Sequence, residues 1–255
     1  MSWERELEVA RRIARRAGEI ALEHAARGVV AETKADDSPV TAADRACERY
    51  IAEALAAAFP DDGLLGEEGG RAEARSGRRW IVDPIDGTRD FLRRVPTWSN
   101  LIALEAEGEV AVGVCHFPAQ GRTCYATRGG GAFADGEPLR VSGVTEKARA
   151  ALCLTGFNVA AGRPFAPRLL EFLAGFSSVR SFGGCQDAMF VASGRADAWI
   201  EISAAAWDLA ALKVITEEAG ARFFNFDGGA SIHGGDAVIC VPGLEAEMRG
   251  FVSGS

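Results

Sequence analysis

The chain predicts a layered fold of mixed type, an α+β half followed by an α/β half. Three observations carry this. Amphipathic helical patterns open the sequence, short strand patterns broken by glycine-bearing turns fill the middle, and beyond about residue 140 strand-like and helix-like segments alternate. Residues 1–140 are therefore assigned to an N-terminal subdomain and 141–255 to a C-terminal one. With no repeat, low-complexity tract or long linker between them, the halves should pack tightly.

Trp3, Leu7, Ala10, Ala14, Ala17 and Ala21 recur every three or four residues with Arg and Glu between them, so the first 26 residues read as one helix. Thr41 and Asp44 open a second like a capping box, and Cys47, Ile51, Leu55 and Ala58 form its inner stripe until Pro60 stops it. Two helices are thus expected before the first strand. Strands are expected at Trp80–Asp83, Asn100–Ala106, Val110–His116 and Thr123–Thr127, forming an antiparallel sheet. The C-terminal half reads as a strand Ala151–Leu154, helices near Pro164–Ala174 and Gln186–Ala192, a strand Ala196–Ile202, a helix Asp208–Ala219 and a strand Ala237–Val241.

Composition narrows the function classes. The 255 residues are 48% hydrophobic and 25% charged, which excludes disordered and collagen-like chains and leaves ample material for a core. A formal charge of −8 with scattered arginines lacks the footprint of a nucleic-acid binder. No apolar run reaches the ~20 residues of a membrane span, and the charged start, Met1 to Glu6, is unlike a signal peptide, so a cytoplasmic protein is expected. The six cysteines show no C-x-x-C pair and no histidines at zinc spacing, as for reduced thiols in a core. His24, His116 and His233 are assigned no chemistry. Glycine, 30 residues, is in excess and points to backbone-lined turns.

The densest chemical signal is Trp80-Ile-Val-Asp83-Pro84-Ile85-Asp86-Gly87-Thr88. A strand carries Asp83 to its end, Pro84 stops the ladder, and Gly87 permits a tight turn, so Asp83 and Asp86 meet on a bend. Gly66-Glu67-Glu68-Gly69-Gly70 lies upstream, and Trp207-Asp208 opens a helix downstream. Singly, these are ordinary turn and cap residues. If Glu67, Asp83, Asp86 and Asp208 converge, each pair at ~4 Å repels by about 4 kcal/mol at an effective dielectric of ~20. Such a cluster must protonate or bind cations, and oxygen donors without His or Cys select a hard ion such as Mg²⁺.

Gly66-Glu67-Glu68, Asp83-Pro-Ile-Asp86-Gly87-Thr88 and Trp207-Asp208-Leu-Ala-Ala-Leu212 with Glu218-Ala219-Gly220 resemble, in order and spacing, the signature segments of the inositol monophosphatase family. Lys34-Ala-Asp36-Asp37-Ser38-Pro39-Val40-Thr41-Ala-Ala-Asp44 is similar to that family's N-terminal segment. The likeness runs from about residue 5 to 252, with departures at Asp90, where Asn is commoner, and Ala221, where glycine is usual.

The resemblance implies αβαβα layers, a homodimer, and a lithium-sensitive phosphomonoesterase using two to three Mg²⁺ ions, with Mn²⁺ an alternative. Residue by residue, it implies metal ligation by Glu67, Asp83, the Ile85 carbonyl and Asp86, with Asp208 joining around a second ion. Thr88, Asp44 and Glu67 would form the catalytic set, with Thr88 hydrogen-bonded to Asp44 and orienting the attacking water. Gly87 and Thr88 would offer backbone N–H groups to the phosphate, and Asp86, Gly184, Glu201 and Asp208 would meet the substrate. Asp44 also suits a purely structural cap, and Glu201 also suits a solvent-facing strand position.

Within the family, Val95–Leu104, Pro118-Ala119 with Ala126–Ala132, Phe190–Ala196 and Ile232–Gly235 look most like its histidinol-phosphatase branch. That branch commonly carries G-D-C where this chain has Gly183-Gly184-Cys185, leaving Glu201 or Asp187 to face a cationic amine. The partner expected is a small phosphorylated metabolite such as L-histidinol phosphate or inositol monophosphate. Bisphosphate nucleotidase and fructose-1,6-bisphosphatase activities are the alternatives, and a non-catalytic phosphate-ligand regulator is the alternative of another class. The spacing D-x-x-D with an internal proline argues against a phosphoaspartate D-x-D enzyme, and no G-x-x-x-x-G-K-[ST] supports a P-loop.

Overall fold

Helix α1 (Glu4–Arg27) and helix α2 (Ala42–Ala58) follow their apolar stripes, but β1 (Ala31–Thr33) and β2 (Pro39–Thr41) stand between them as an antiparallel pair, so a strand precedes the second helix. The computed structural model describes residues 2–28, 30–33 and 39–253. Lys34, Asp36, Asp37 and Ser38 of the family-like segment lie outside the described residues. Thr41 caps α2 as expected, its hydroxyl accepting from the Ala43 and Asp44 N–H groups.

The next strands are β3 (Gly63–Gly66), β4 (Arg71–Ala72) and β5 (Arg78–Asp86), followed by the short helix α3 (Thr88–Arg93). Then come β6 (Ser99–Ala106), β7 (Glu109–Phe117), β8 (Arg122–Thr127), β9 (Gly131–Ala134) and β10 (Glu137–Pro138). Together they make an eight-stranded sheet of order β10-β9-β8-β7-β6-β5-β3-β4. It is antiparallel except where β3 runs parallel to β5, and that exception sets Gly66 beside Val82 and so brings Glu67 next to Asp83.

Beyond it lie β11 (Ala151–Thr155), α4 (Leu169–Ala174), β12 (Ser178–Arg180), α5 (Gly184–Ala192), β13 (Ala198–Glu201), α6 (Ala206–Glu218), β14 (Arg222–Phe224), β15 (Ala237–Cys240) and α7 (Glu245–Val252). The strands form a five-stranded mixed sheet ordered β12-β11-β13-β15-β14. The helix expected from Pro164 is shorter, because a 3₁₀ turn at Ala166–Arg168 built on Pro167 precedes α4.

Side-chain alternation sorts the layers. Trp80, Val82, Ile102 and Val114 face Ile13, Ile51 and Leu55 of α1 and α2. Their neighbours Ile81, Leu101 and Cys115 face Met189, Leu209 and Leu212 of α5 and α6, and Trp199 and Ile239 of the second sheet close the same core. The far face of that sheet, with Leu152, Ile200 and Val238, is covered by Phe165, Phe172, Met248 and Phe251. The order is therefore α, β, α, β, α. All six cysteines are buried and unpaired.

Helix α6, which carries Asp208, lies directly on β7 at Gly113. A Cβ there would drive into Val214 and stand 2.7 Å from the Ala211 carbonyl oxygen, so only glycine allows the approach. Gly113→Ala is expected to destabilise the protein by about 1–3 kcal/mol through overpacking against a backbone that cannot yield. Urea unfolding reads this as a lowered midpoint, and an unchanged midpoint would show that α6 can lift without cost.

Candidate active site

Strand β5 ends in the predicted bend. The Ile85 N–H donates to Asp83 Oδ1 at 3.0 Å, and the ladder with β6 is irregular between Asp83 and Asp86, a bend from which both aspartates join one cluster with Asp208. Gly87 has φ +87°, a left-handed conformation that side chains disfavour, and it starts α3. On α6, Asp208 Oδ2 accepts from the Ala205 N–H at 2.7 Å, which fixes the carboxylate at the first turn.

Asp83, Asp86 and Asp208 each offer an oxygen within 4.8 Å of the others. Glu67 lines the same cavity. Burial holds the Asp83 carboxyl well above the usual range, with Glu67, Asp86 and Asp208 adding repulsion. Burial also pushes Asp86 up to about 6; the Cys185 thiol and backbone N–H oppose the shift and the Glu67 charge reinforces it. Unsaturated negative charge is what a divalent cation would relieve, and the donors are all oxygen, so the set fits a hard ion such as Mg²⁺.

Asp44 uses its two oxygens differently, one for the helix cap and one toward Thr88. Its Oδ2 accepts from the Thr41 N–H at 2.8 Å and the Thr41 hydroxyl at 2.5 Å, completing the capping box. Its Oδ1 faces Thr88 Oγ1 at 3.3 Å, and that hydroxyl also lies 3.1 Å from the Ile85 carbonyl. Burial raises the Asp44 carboxyl, against the hydrogen bonds it receives.

The remaining expected residues divide. Gly184 and Glu201 line the cavity, and Glu201 is 7% exposed, so the solvent-facing alternative is wrong: the cavity side of β13 is covered by neighbouring elements. Burial pushes Glu201 up to about 8, with Asp208 and Asp86 adding to the shift. Asp187 is unavailable to an amine. It is buried and accepts from the Phe182 N–H at 3.0 Å and from the Thr155 hydroxyl at 3.3 Å, and thus shapes the turn before α5.

A search with family models matches residues 2–251 to the inositol monophosphatase family. The chain belongs to that family. Its relatives include a histidinol-phosphatase of Chlorobaculum parvum, 40% identical over 92% of this chain and 91% of that protein. An inositol-1-monophosphatase of Mesorhizobium japonicum is 36% identical over 78% of this chain and 77% of that protein. Among solved structures, the extragenic suppressor protein SuhB of Bartonella henselae superposes with a TM-score of 0.89 at 28% identity, covering 96% of this chain and 97% of that one. Membership places the chain among the phosphoric monoester hydrolases. No helix among the described residues is long and apolar enough to cross a membrane.

Two supporting residues of this family member escape a reading of its sequence. Glu48 on α2 is 5% exposed and ties the Glu67 loop, accepting from the Glu68 N–H at 2.7 Å and the Gly70 N–H at 2.8 Å. Asn100 on β6 is buried and donates to the Pro84 carbonyl, holding the bend between Asp83 and Asp86. Glu48 stands one turn after Asp44 on the inner face of α2, where an acid is out of pattern; Asn100 carries no local signal.

The raised carboxyls give a pH signature. Asp86 and Asp187 near 6 and Glu201 near 8 keep protons that the unfolded chain has already released, so their contribution to stability is present at low pH and lost as pH rises through 6 and then 8. The melting temperature of the metal-free protein should fall between pH 5 and 8.5. Saturating Mg²⁺, which requires ionised ligands, should raise it more at pH 8.5 than at pH 5. Thermal shift assays read both, and a Mg²⁺ effect equal at the two pH values would contradict the assignment.

Proposed function

We propose that the protein is a Mg²⁺-dependent phosphomonoesterase that hydrolyses a small phosphate ester, of the L-histidinol phosphate or inositol monophosphate type, by direct attack of water. The observation that carries this reading is the convergence of Asp83, Asp86 and Asp208 beside the Thr88–Asp44 pair. Glu67, Asp83, the Ile85 carbonyl, Asp86 and Asp208 would hold the ions. Mg²⁺ there supplies charge neutralisation for the phosphate and a water acidified enough to attack near neutral pH.

The protein's own groups then do the positioning. Both neighbours of the Thr88 hydroxyl, Asp44 Oδ1 and the Ile85 carbonyl, are acceptors, so its proton points inward. A lone pair is left to accept a hydrogen from the attacking water, which turns that water's own lone pair toward phosphorus. Asp44 can take up the proton relayed through Thr88 without moving, because its other oxygen is fixed by the Thr41 cap. At Gly87 no side chain blocks the phosphate, and the first N–H groups of α3 have no partner within the helix. Glu201 lines the same cavity and would face the leaving alcohol.

The test is phosphate release from L-histidinol phosphate, inositol 1-phosphate, fructose 1,6-bisphosphate and adenosine 3′,5′-bisphosphate, with Mg²⁺ and with or without Li⁺. Release from one of the first two, suppressed by Li⁺, supports the reading. Preference for a bisphosphate would move the substrate class, and silence across the panel together with binding of a phosphorylated ligand would favour a non-catalytic regulator.

A further inference from the structure

The cavity that holds the carboxylate cluster, about 510 Å³, is closed on another side by the Gly183–Gly184 turn. The space that side chains would fill there is bordered by two carboxylates. A Cβ on Gly183 would stand 3.1 Å from Asp90 Oδ2, and one on Gly184 would stand 3.3 Å from Glu201 Oε2. Gly183 has φ +114°, so glycine is required by the backbone as well as by the space. Asp90 comes from α3 and Glu201 from β13, yet both reach the same dipeptide.

Among the described residues neither carboxyl group has a cationic side chain as partner. Glu201, 7% exposed, takes one long hydrogen bond, from the Ser203 N–H to Oε1 at 3.4 Å, and among the described residues its Oε2 has no partner. Asp90 Oδ2 accepts from the Thr97 hydroxyl at 2.7 Å, which aims the group without cancelling its charge. Among the described residues the one basic side chain lining the cavity is Arg89, which is exposed. An enclosed carboxyl with a free oxygen and no counter-ion stays protonated, and its ionised form becomes favourable only when a ligand brings the cation.

Resting on the phosphatase reading above, we propose that Asp90 is a specificity-determining residue: with Glu201 it receives a protonated amine on the leaving-alcohol end of the substrate. The substrate class is then a phosphate ester of an amino alcohol. Its phosphate lies at the Asp83, Asp86 and Asp208 end and its ammonium at the Gly183–Gly184 end. A neutral polyol phosphate would leave both carboxylates without a cation.

Asp90→Asn tests this, because the amide oxygen can still accept from Thr97 while the charge is lost. Steady-state kinetics on L-histidinol phosphate and inositol 1-phosphate, for wild type and variant, give the ratio of the two kcat/KM values. The ratio should fall about tenfold, mainly through KM for the amino ester, as for loss of one charge-assisted contact. If both esters are hydrolysed and the ratio does not move, Asp90 does not read the amine. If wild type hydrolyses neither, the phosphatase reading fails and this inference falls with it. Product inhibition of wild type gives a second readout that needs no variant: L-histidinol should inhibit about tenfold more tightly than its N-acetyl derivative, and equal inhibition would overturn the proposal.

Discussion

Asp86→Asn should lower Mg²⁺-dependent phosphate release by about 10³-fold or more, equivalent to about 4 kcal/mol of lost transition-state stabilisation. Asp86 lines the cavity and clusters with Asp83 and Asp208, and it is common to the proposed metal-binding and substrate-facing sets. The fold should survive. The substitution is isosteric and removes one of several mutually repelling buried charges, so the melting temperature of the metal-free protein should stay level or rise at pH 8. Phosphate release and a thermal melt on the same sample separate the two effects. Undiminished turnover would remove Asp86 from the chemistry, and a collapsed melt would make its role structural.

Thr88→Ala should cost about 10²-fold in kcat, within the usual range for positioned proton transfer. It removes the hydroxyl shared between Asp44 Oδ1 and the Ile85 carbonyl but no carboxylate. The Mg²⁺ activation constant should therefore change little. A large loss of Mg²⁺ affinity with kcat intact would mean that the hydroxyl supports the Ile85 carbonyl rather than the water. Because Asp44 keeps its Thr41 cap in this variant, helix α2 should be unaffected.

Much of the site is legible in the chain because its devices are local. Pro84 and Gly87 each act on their own backbone, so the bend bearing Asp83 and Asp86 follows from nine consecutive residues. The helices α1 and α2 declare themselves by apolar spacing and the Thr41 cap. What is hidden depends on distant partners. Glu201 alternates with Ala198 and Ile200, but alternation says only that it faces away from them, and the cavity on that face is built by elements far along the chain. Glu48 and Asn100 act on loops 20 and 16 residues away through backbone groups, which leave no side-chain pattern. The pairs β1–β2 and β3–β4 are too short to show a period of two, and the parallel placement of β3 against β5 is a tertiary choice. A sequence cannot show that the two oxygens of Asp44 have different partners, Thr41 for one and Thr88 for the other.

On the proposed function, this carboxylate cluster works by holding divalent cations at the phosphate. Its most direct test is phosphate release from L-histidinol phosphate and inositol 1-phosphate by chelator-treated protein, followed through stepwise addition of Mg²⁺. No turnover is expected before Mg²⁺, then saturable activation that Asp86→Asn loses. Full turnover in the presence of excess chelator would contradict it.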